Sequence, residues 1–457
     1  MKLRKCQSTV PEACSEQVQQ TTKRRISRRQ FVQTGVGVAA AGALLGRRAF
    51  AAPRPIKIGY VSPATGPIAI FGQVDAYVID RVRKRFLDGL QVGGVTRSVE
   101  IVLRDSQSSP NRAAQVASEM IKSDKIDMML VAGTPDTVNP VADQCEINKV
   151  PCVSSDDPWN AFYFGRGGTP DKGFDWTYNF FWGSEIIANV QAEMCNHVKT
   201  NKVWGCLWGN DTDGMIFSDP VHGCPPLFEK WGYKVVDPGR FSLDSNDFTA
   251  QITAFKKANA ECLYAVVPLS TFSTFWTQCA QQGWWPKICI PGKVCEFPLS
   301  VQALGPLGKY VATEIWWARN APFKSSLTGQ TGFQYCDEYE DITGKQWTQA
   351  LGFRHALFEV GADVLMRAKD AESADSIIAA VRSTRLKTLV GPIQWEGPPP
   401  DKWTQIPVKN CCTTPMVGGQ WVPGKKWPLE LVVTTNWGYP PTPVEATMVP
   451  LPPVAKA

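Results

Sequence analysis

The stretch Ile126–Trp159, IDMMLVAGTPDTVNPVADQCEINKVPCVSSDDPW, decides the fold that we predict for this chain. Met128–Ala132 is a short apolar run, Val138–Asn148 has the apolar spacing of a helix, and Val150–Val153 is apolar again. A strand, a helix and a second strand in this order form the repeating unit of a parallel sheet. The stretch therefore predicts an α/β fold.

Two polar loops, Thr134–Thr137 and Ser154–Asp157, follow the two predicted strands. Parallel strands place such loops side by side at their carboxyl ends, where open α/β sheets bind ligands. The first loop also leads into a helix N-terminus, whose unpaired N–H groups suit a carboxylate or another acceptor. The sequence therefore predicts a binding site at this edge of the sheet.

The first 51 residues have the pattern of an export signal. Ser27–Gln33, SRRQFVQ, resembles the twin-arginine signature S-R-R-x-F-x-x, and the apolar run Val36–Leu45 follows it. That run is too short for a helix of about 20 residues that spans a bilayer. We predict cleavage after Ala51, export by the twin-arginine translocase and a periplasmic location. The alternative is a basic tail followed by a core helix.

The charge of the chain depends on this segment. Residues 1–51 contain ten Lys and Arg but two Glu, so a chain of net charge +6 becomes −2 without them. The basic balance of the full chain is therefore no indication of nucleic-acid binding, and we predict none.

Cysteine usage fits an exported protein. Twelve of the fourteen Cys lie after residue 51, an even number for an oxidising compartment, which favours some disulfides of unassigned pairing. The sequence has no C-x-x-C pair, which weighs against an iron–sulfur cluster, a zinc ribbon or a thioredoxin-type motif.

The chain before this stretch continues the alternation of strands and helices. Pro55–Val61 and Val99–Arg104 are predicted strands, and helices follow at about 73–88 and 111–122. The segments IKIGYVSPATGPIAIFG and EIVLRDSQSSPNRAAQVASEMI, together with the opening stretch, resemble the amino-terminal lobe of the type I periplasmic solute-binding proteins. The resemblance is to the branched-chain amino-acid-binding branch that serves ABC transporters, and it covers most of residues 55–425.

The resemblance implies two Rossmann-like lobes joined by three crossovers, with the ligand held in the cleft between them. The parts that we predict are a signal peptide at 1–51, lobe one at 53–180 and 310–398, lobe two at 181–309 and 399–435, and a proline-rich extended tail at 436–457.

The resemblance also implies ligand contacts in the loops of both lobes and at one aromatic residue. The candidates carried over by position are Phe71, Asp136, Thr137, Ser155, Asp156, Asp157, Asp213, Ser270 and Lys293. Amino-acid binders commonly hold the ligand ammonium with an acid from lobe two, whereas Lys293 lies nearest that position here. Burying an acid beside a ligand carboxylate costs several kcal/mol as an order of magnitude, so an ordinary branched-chain amino acid is disfavoured. The acidic loops admit a cationic, amide-like or hydroxyl-rich solute, and Lys293 admits a carboxylate.

Most of these residues also have a structural interpretation. Asp157 precedes a proline and is typical of a helix N-cap, and Asp136 or Thr137 could likewise cap the helix that follows them. Asp213 lies in a glycine-containing loop that turn chemistry alone explains, and Lys293 could be a solvated loop charge. Asp156 has no such alternative and is the strongest candidate for a polar ligand contact.

We predict a periplasmic binding component of an ABC uptake transporter. It would bind a small polar organic solute, such as an amino-acid-like compound, an amide or an aromatic acid, and deliver it to a membrane permease without a cofactor, a metal or catalysis. One alternative is a solute sensor of the same fold that acts on a receptor or regulator.

The other alternative is an exported hydrolase or oxidoreductase. The chain has three His and lacks the H-E-x-x-H, phosphate-loop and G-x-S-x-G motifs, although a triad can assemble in space. His355 lies in the apolar helix 352–367, where we interpret it as a core or interface residue.

Overall fold

Parallel sheets with helices on their faces make up the residues that the computed structural model describes, 53–169 and 171–453. The predicted twin-arginine signal lies outside the described residues. Within them, no helix is both long and apolar enough to cross a membrane.

The secondary structure begins at Ile56. The strands are β1 (Ile56–Ser62), β2 (Leu90–Val92), β3 (Val95–Arg97), β4 (Val99–Asp105), β5 (Met128–Ala132), β6 (Cys152–Ser155), β7 (Thr177–Phe180), β8 (Val203–Trp208), β9 (Lys234–Val236), β10 (Cys262–Val266), β11 (Ile288–Gly292), β12 (Ala312–Ile315), β13 (Arg385–Thr388), β14 (Gly391–Gln394), β15 (Cys411–Cys412), β16 (Val417–Pro423) and β17 (Leu429–Thr435). The helices of six residues or more are α1 (Asp75–Arg85), α2 (Pro110–Glu119), α3 (Pro135–Asn148), α4 (Trp159–Phe164), α5 (Ser184–Asn196), α6 (Thr212–Phe217), α7 (Pro225–Lys230), α8 (Thr249–Ala258), α9 (Leu269–Gln281), α10 (Pro298–Ala303), α11 (Gly332–Thr343), α12 (Gln349–Arg367) and α13 (Ala374–Arg382).

The first sheet is parallel throughout and has the strand order β15-β7-β6-β5-β1-β4. All five residues of β5 are buried, because helices cover both faces of the sheet. Local sequence sets the crossovers: Ser109 caps α2 by accepting from the N–H of Arg112 at 3.4 Å, and Pro110 occupies the first helical position. We call this sheet and the helices on it lobe one.

A second parallel sheet has the strand order β11-β10-β8-β9. An antiparallel sheet of β12, β16 and β17 lies next to β11. We call these two sheets and their helices lobe two. The α/β class with parallel sheets is as predicted.

Two strands differ from the lobe boundaries that we predicted. β12 falls in the segment 310–398, assigned to lobe one, but it pairs with β16 of lobe two. β15 falls in the segment 399–435, assigned to lobe two, but it pairs with β7 at the edge of lobe one. Both strands are short, and their hydrogen-bonding partners are more than 100 residues away in the chain, so local patterns do not reveal them.

Helix α12 is the longest helix, and it contacts α1, β5 and β6 of lobe one. Sixteen of its nineteen residues are buried, so it runs through the interior rather than across the surface. Arg354, in its first half, is therefore enclosed by lobe one.

The predicted disulfides do not form in this structure. All twelve Cys after residue 51 are buried free thiols. Free Cys is among the residue types most often buried and packs as a small apolar side chain.

The predicted proline-rich tail has no regular secondary structure in residues 436–453, but it does not project from the protein. Its Glu445 N–H donates to the carbonyl of Val433, and its Leu451 N–H donates to the carbonyl of Lys287 at 2.7 Å. The tail is extended and lies along lobe two.

Candidate functional site

A cavity lies between the two lobes. Lobe one contributes the loops after β1, β5 and β6, and lobe two contributes α6, β10, β12 and the loop after β11. The residues on its wall are Phe71, Thr134, Pro135, Asp156, Pro158, Phe181, Trp182, Asp213, Phe217, Tyr264, Val266, Lys293, Glu296 and Glu314. Four of the nine predicted candidates, Phe71, Asp156, Asp213 and Lys293, are in this set.

Asp156 lies at the end of β6 and forms an ion pair with Nη1 of Arg354. Both side chains are fully buried, and Arg354 also donates from Nε to Asp75 at 3.2 Å and from Nη2 to the carbonyl of Phe71 at 2.9 Å. We call Arg354, Asp75 and Asp156 the Arg354 cluster. Sequence reasoning missed it because an arginine within an apolar helix gives no local sign of its partners.

The two carboxyl groups of the Arg354 cluster can accept more hydrogen bonds than Arg354 donates to them. Burial raises the pKa of Asp156 and of Asp75, while the Arg354 guanidinium acts in the opposite direction. The Tyr60 hydroxyl donates to Asp75 at 2.8 Å. Asp156 lines the cavity, and its Oδ1 is buried and has no hydrogen-bond partner among the described residues.

Asp157 does not cap a helix, contrary to our structural interpretation. The N-cap of α4 is Pro158, and no side chain caps that helix. Both carboxyl oxygens of Asp157 are buried and lack a partner among the described residues. Burial, with the nearby Asp213, therefore raises its pKa well above the usual range. Asp157 lies directly behind the wall rather than on it.

The start of α3 also differs from the capping interpretation. Its N-cap is Thr134, with no side-chain cap. Asp136 instead accepts a hydrogen bond from Thr212 of lobe two, and the Thr137 hydroxyl donates to the Thr134 carbonyl at 3.2 Å. Neither Asp136 nor Thr137 lines the cavity, and the Asp136 contact joins the two lobes across its edge.

Lys293 follows β11 and is not a solvated loop charge. Its side chain is 7% exposed, and its Nζ donates to Asp211 at 2.6 Å and to Asp213 at 2.7 Å. We call these three residues the Lys293 cluster. The two carboxylates raise the pKa of Lys293 against the effect of burial, whereas burial raises the pKa of Asp213 to about 6. Asp211 also caps α6 by accepting from the N–H of Gly214 at 2.9 Å.

Glu296 and Glu314 form a second acidic group on the lobe-two wall. Both carboxyl groups line the cavity, and they lie close enough for each to influence the pKa of the other. Burial raises the pKa of both, that of Glu296 well above its usual range. Glu296 accepts from the N–H of Lys293 at 3.2 Å, and Glu314 accepts from Gln191 at 3.3 Å. Neither was among the predicted candidates.

Aromatic side chains form much of the remaining wall. Phe181 and Trp182, which follow β7, have ring centroids 4.6 Å apart, and Trp182 stacks on Phe217 at 6.2 Å. Tyr264 of β10 is 6.5 Å from Phe217, so the rings form a continuous row. Opposite them, Phe71 contacts Phe297 edge to face at 4.8 Å.

Two predicted candidates lie away from the cavity wall. Ser270 is exposed on α9 and is not among the residues on the cavity wall. Ser155 is buried at the end of β6, one residue before Asp156, and its hydroxyl has no partner among the described residues.

The groups considered for catalysis are not in the cavity. His355 is fully buried, and its Nε2 lies 2.7 Å from the hydroxyl of Ser325 in the interior of lobe one. Among the described residues, no group of three or more His, Cys, Asp or Glu could hold a metal ion.

The model of one protein family, described as periplasmic binding protein, matches residues 55–404. The chain belongs to the periplasmic binding protein family. Family members and structural neighbours are solute-binding proteins and not enzymes.

Solved periplasmic binding proteins share this fold. A leucine-binding protein from Thermotoga maritima is 18% identical, with a TM-score of 0.64, covering 84% of this chain and 99% of that one. A solute-binding protein of an ABC transporter from Rhodopseudomonas palustris, in complex with 3,4-dihydroxybenzoic acid, is 18% identical, with a TM-score of 0.64, covering 83% and 96%. A branched-chain amino-acid transporter substrate-binding protein from Streptococcus pneumoniae, in complex with isoleucine, is 14% identical, with a TM-score of 0.63, covering 83% and 100%.

Proposed function

We propose that this protein is the periplasmic substrate-binding component of an ABC uptake transporter. The observation that carries the proposal is the cavity between the lobes, whose wall combines buried charged side chains and aromatic rings from both lobes. A concave, mostly apolar site with a few convergent polar groups is the usual form of a small-molecule site. The structural neighbours include proteins described as substrate-binding proteins of ABC transporters.

Delivery to a permease requires that the ligand change the arrangement of the lobes. Phe71 of lobe one packs on Phe297 of lobe two, and Asp136 accepts from Thr212 across the cleft, so the lobes are in contact on both sides of the cavity. A ligand that contacts both walls stabilises this closed form by its differential affinity for it. The closed form is then the one that the membrane permease recognises.

A thermal-shift screen of protein purified from the periplasm tests the binding function. The solutes are amino acids, amides, polyamines, other amines, sugars and aromatic acids. A ligand at 100 times its dissociation constant adds about 2.7 kcal/mol to the free energy of unfolding, which gives a clear rise in melting temperature. If no solute of any class raises the melting temperature of ligand-free protein, the binding function is wrong.

Export through the twin-arginine translocase is a separate proposal and has its own test. Replacing both Arg28 and Arg29 with Lys should leave the uncleaved precursor in the cytoplasm, whereas the same change at Arg24 and Arg25 should not. The mature protein should begin at Ala52. Periplasmic, cleaved protein from the Arg28→Lys, Arg29→Lys variant would contradict this route.

A further inference from the structure

Two cations close to the cavity, Lys293 and Arg354, are already paired with protein carboxylates. Lys293, on the wall, donates to Asp211 and Asp213 at 2.6 and 2.7 Å. Arg354, behind the wall, holds Asp75 and Asp156. Each cluster has two carboxylates for one cation, so neither has a positive charge left for a ligand carboxylate.

The helix that begins at the cavity is also poorly suited to an anion. Pro135, the first residue of α3, has no N–H to donate, and Asp136 places a carboxylate in the first turn. The Thr137 N–H already donates to the carbonyl of Thr134 at 2.9 Å. The usual anion-binding features of a helix N-terminus are therefore weakened at this position.

Negative charge, in contrast, is in excess on the wall. Glu296 and Glu314 both line the cavity and lie close to each other, and neither forms an ion pair with a cation among the described residues. Separately, Asp156 lines the cavity, and its buried Oδ1 lacks a partner among the described residues. These three acceptors would be satisfied by hydrogen-bond donors on a ligand.

The aromatic row completes the pattern. Phe181, Trp182, Phe217 and Tyr264 present ring surfaces to the same space as the two glutamates. Ring faces attract cations, most strongly where water is excluded, and they also cover an apolar ligand body.

We infer that the cavity takes an organic amine without a carboxylate, with its ammonium group against Glu296 and Glu314 and its apolar body against the aromatic row. This inference rests on the proposed function, because it names the solute class of that same site. We expect two neighbouring buried carboxyl groups to share one proton before the ligand binds. The ammonium displaces that proton, so both glutamates are ionised in the complex. Because a ligand carboxylate would meet only acids and neutralised cations, zwitterionic amino acids are rejected.

Titration calorimetry with three ligands of similar size tests which ligand charge the cavity prefers. Benzylamine, benzamide and benzoate carry the same ring and differ in being cationic, neutral and anionic at pH 7. Benzylamine should bind at least tenfold more tightly than the other two. A second pair, 3-methylbutylamine and leucine, differs by the carboxylate alone, and the amine should bind more tightly. Tighter binding of benzoate, benzamide or leucine overturns the inference.

Proton release gives an independent readout on the unaltered protein. Repeating the titration in phosphate and in Tris, whose ionisation enthalpies differ, should show about one proton released for each amine bound. Affinity should then rise with pH, and proton uptake would contradict the displacement step. The other titratable groups that face the two glutamates are Lys293, Asp213, Tyr264, Cys224 and Cys295.

A matched pair of variants locates the ammonium site. Glu314→Gln should weaken benzylamine binding at least tenfold and abolish the proton release. Glu340→Gln, at a buried carboxyl group that pairs with Lys426 away from the cavity, should leave the affinity unchanged. Glu296→Gln serves the same purpose should Glu314→Gln not fold. Unchanged affinity in the folded cavity variant refutes the assignment.

The inference and the proposed function fail in different ways. A wider screen whose hits are confined to carboxylates, amides or sugars overturns the amine assignment and leaves a solute-binding protein. A screen without any hit overturns both.

Discussion

The Arg354 cluster and the Lys293 cluster have the same composition, one cation and two carboxylates, but different positions. Arg354 joins helix α12 to Asp75 and Asp156, which are 279 and 198 positions away in the chain. Its side chain is fully enclosed. Lys293 and its partners all lie at the carboxyl ends of β8 and β11, and Lys293 is on the cavity wall. The first cluster holds lobe one together, and the second shapes the ligand surface of lobe two. Two clusters of the same composition therefore have different roles, according to what surrounds them.

The largest effect is expected from Arg354→Met. Removing the cation leaves Asp75 and Asp156 buried without a counter-charge, which costs about 3 to 5 kcal/mol. Chemical denaturation should show this loss in the free energy of unfolding. Lys84→Met, at a largely exposed pair with Asp80, should cost less than about 0.5 kcal/mol. A loss below about 1 kcal/mol for Arg354→Met would show that the cluster is not structural.

Lys293→Met should lower the free energy of unfolding by about 2 to 4 kcal/mol at pH 7 and by less at pH 5. The loss is smaller at pH 5 because of Asp213, whose pKa is about 6 even beside Lys293. At pH 5 Asp213 is mostly protonated and needs no cation, whereas above pH 6 it ionises and does. Denaturation curves at both pH values check this, and an equal loss at both would exclude Asp213 as the cause.

At neutral pH, Asp157→Asn should stabilise the protein, whereas Asp156→Asn should destabilise it. Asp157 has no partner, and its raised pKa means that its contribution to stability is lost as pH rises. Asn at this position should therefore add about 1 kcal/mol at pH 7.5 and nothing at pH 4.5. Asp156→Asn weakens the pair with Arg354 and should destabilise. Melting temperatures at the two pH values measure both, and a fall for Asp157→Asn at pH 7.5 would indicate an unseen role for its charge.

The smallest effect is expected from Thr212→Val, which removes the hydrogen bond to Asp136 between the lobes. Asp136 is partly exposed and can bind water instead. The free energy of ligand binding should therefore fall by about 1 kcal/mol, which is about a fivefold rise in the dissociation constant. The free energy of unfolding should hardly change. Calorimetry with a solute from the screen measures the affinity. An equal loss of stability and affinity would mean that the contact supports the fold rather than closure.

The sequence predicted those parts of the molecule that depend on local patterns. β5 has the predicted bounds, and β6 begins two residues later than its apolar run suggested. The position-by-position comparison with relatives named Phe71, Asp156, Asp213 and Lys293, which line one cavity in the structure, and their contact with a ligand stays a prediction. These residues lie in the segments that follow strands of the two parallel sheets, including the start of α6 for Asp213, where the sheet itself determines the location.

The rest of the site depends on contacts between distant segments. Arg354 and Glu314 lie within buried, largely apolar elements, and nothing near them in the chain indicates a charged partner. Asp157 has the local pattern of an N-cap, yet the chain starts the helix one residue later. Sequence patterns report the backbone preference of each segment, whereas the partner of a buried charge is fixed only by the packing of the lobes.

The twelve buried thiols have a consequence for the life of the protein in the cell. Disulfides form readily in unfolded chains that enter an oxidising compartment, where thiols meet one another and the oxidant. A chain that folds in the reducing cytoplasm and crosses the membrane already folded, as the proposed twin-arginine route would have it, carries its thiols inside a closed interior. Compactness at the time of transport would then protect the cysteines as effectively as a reducing environment.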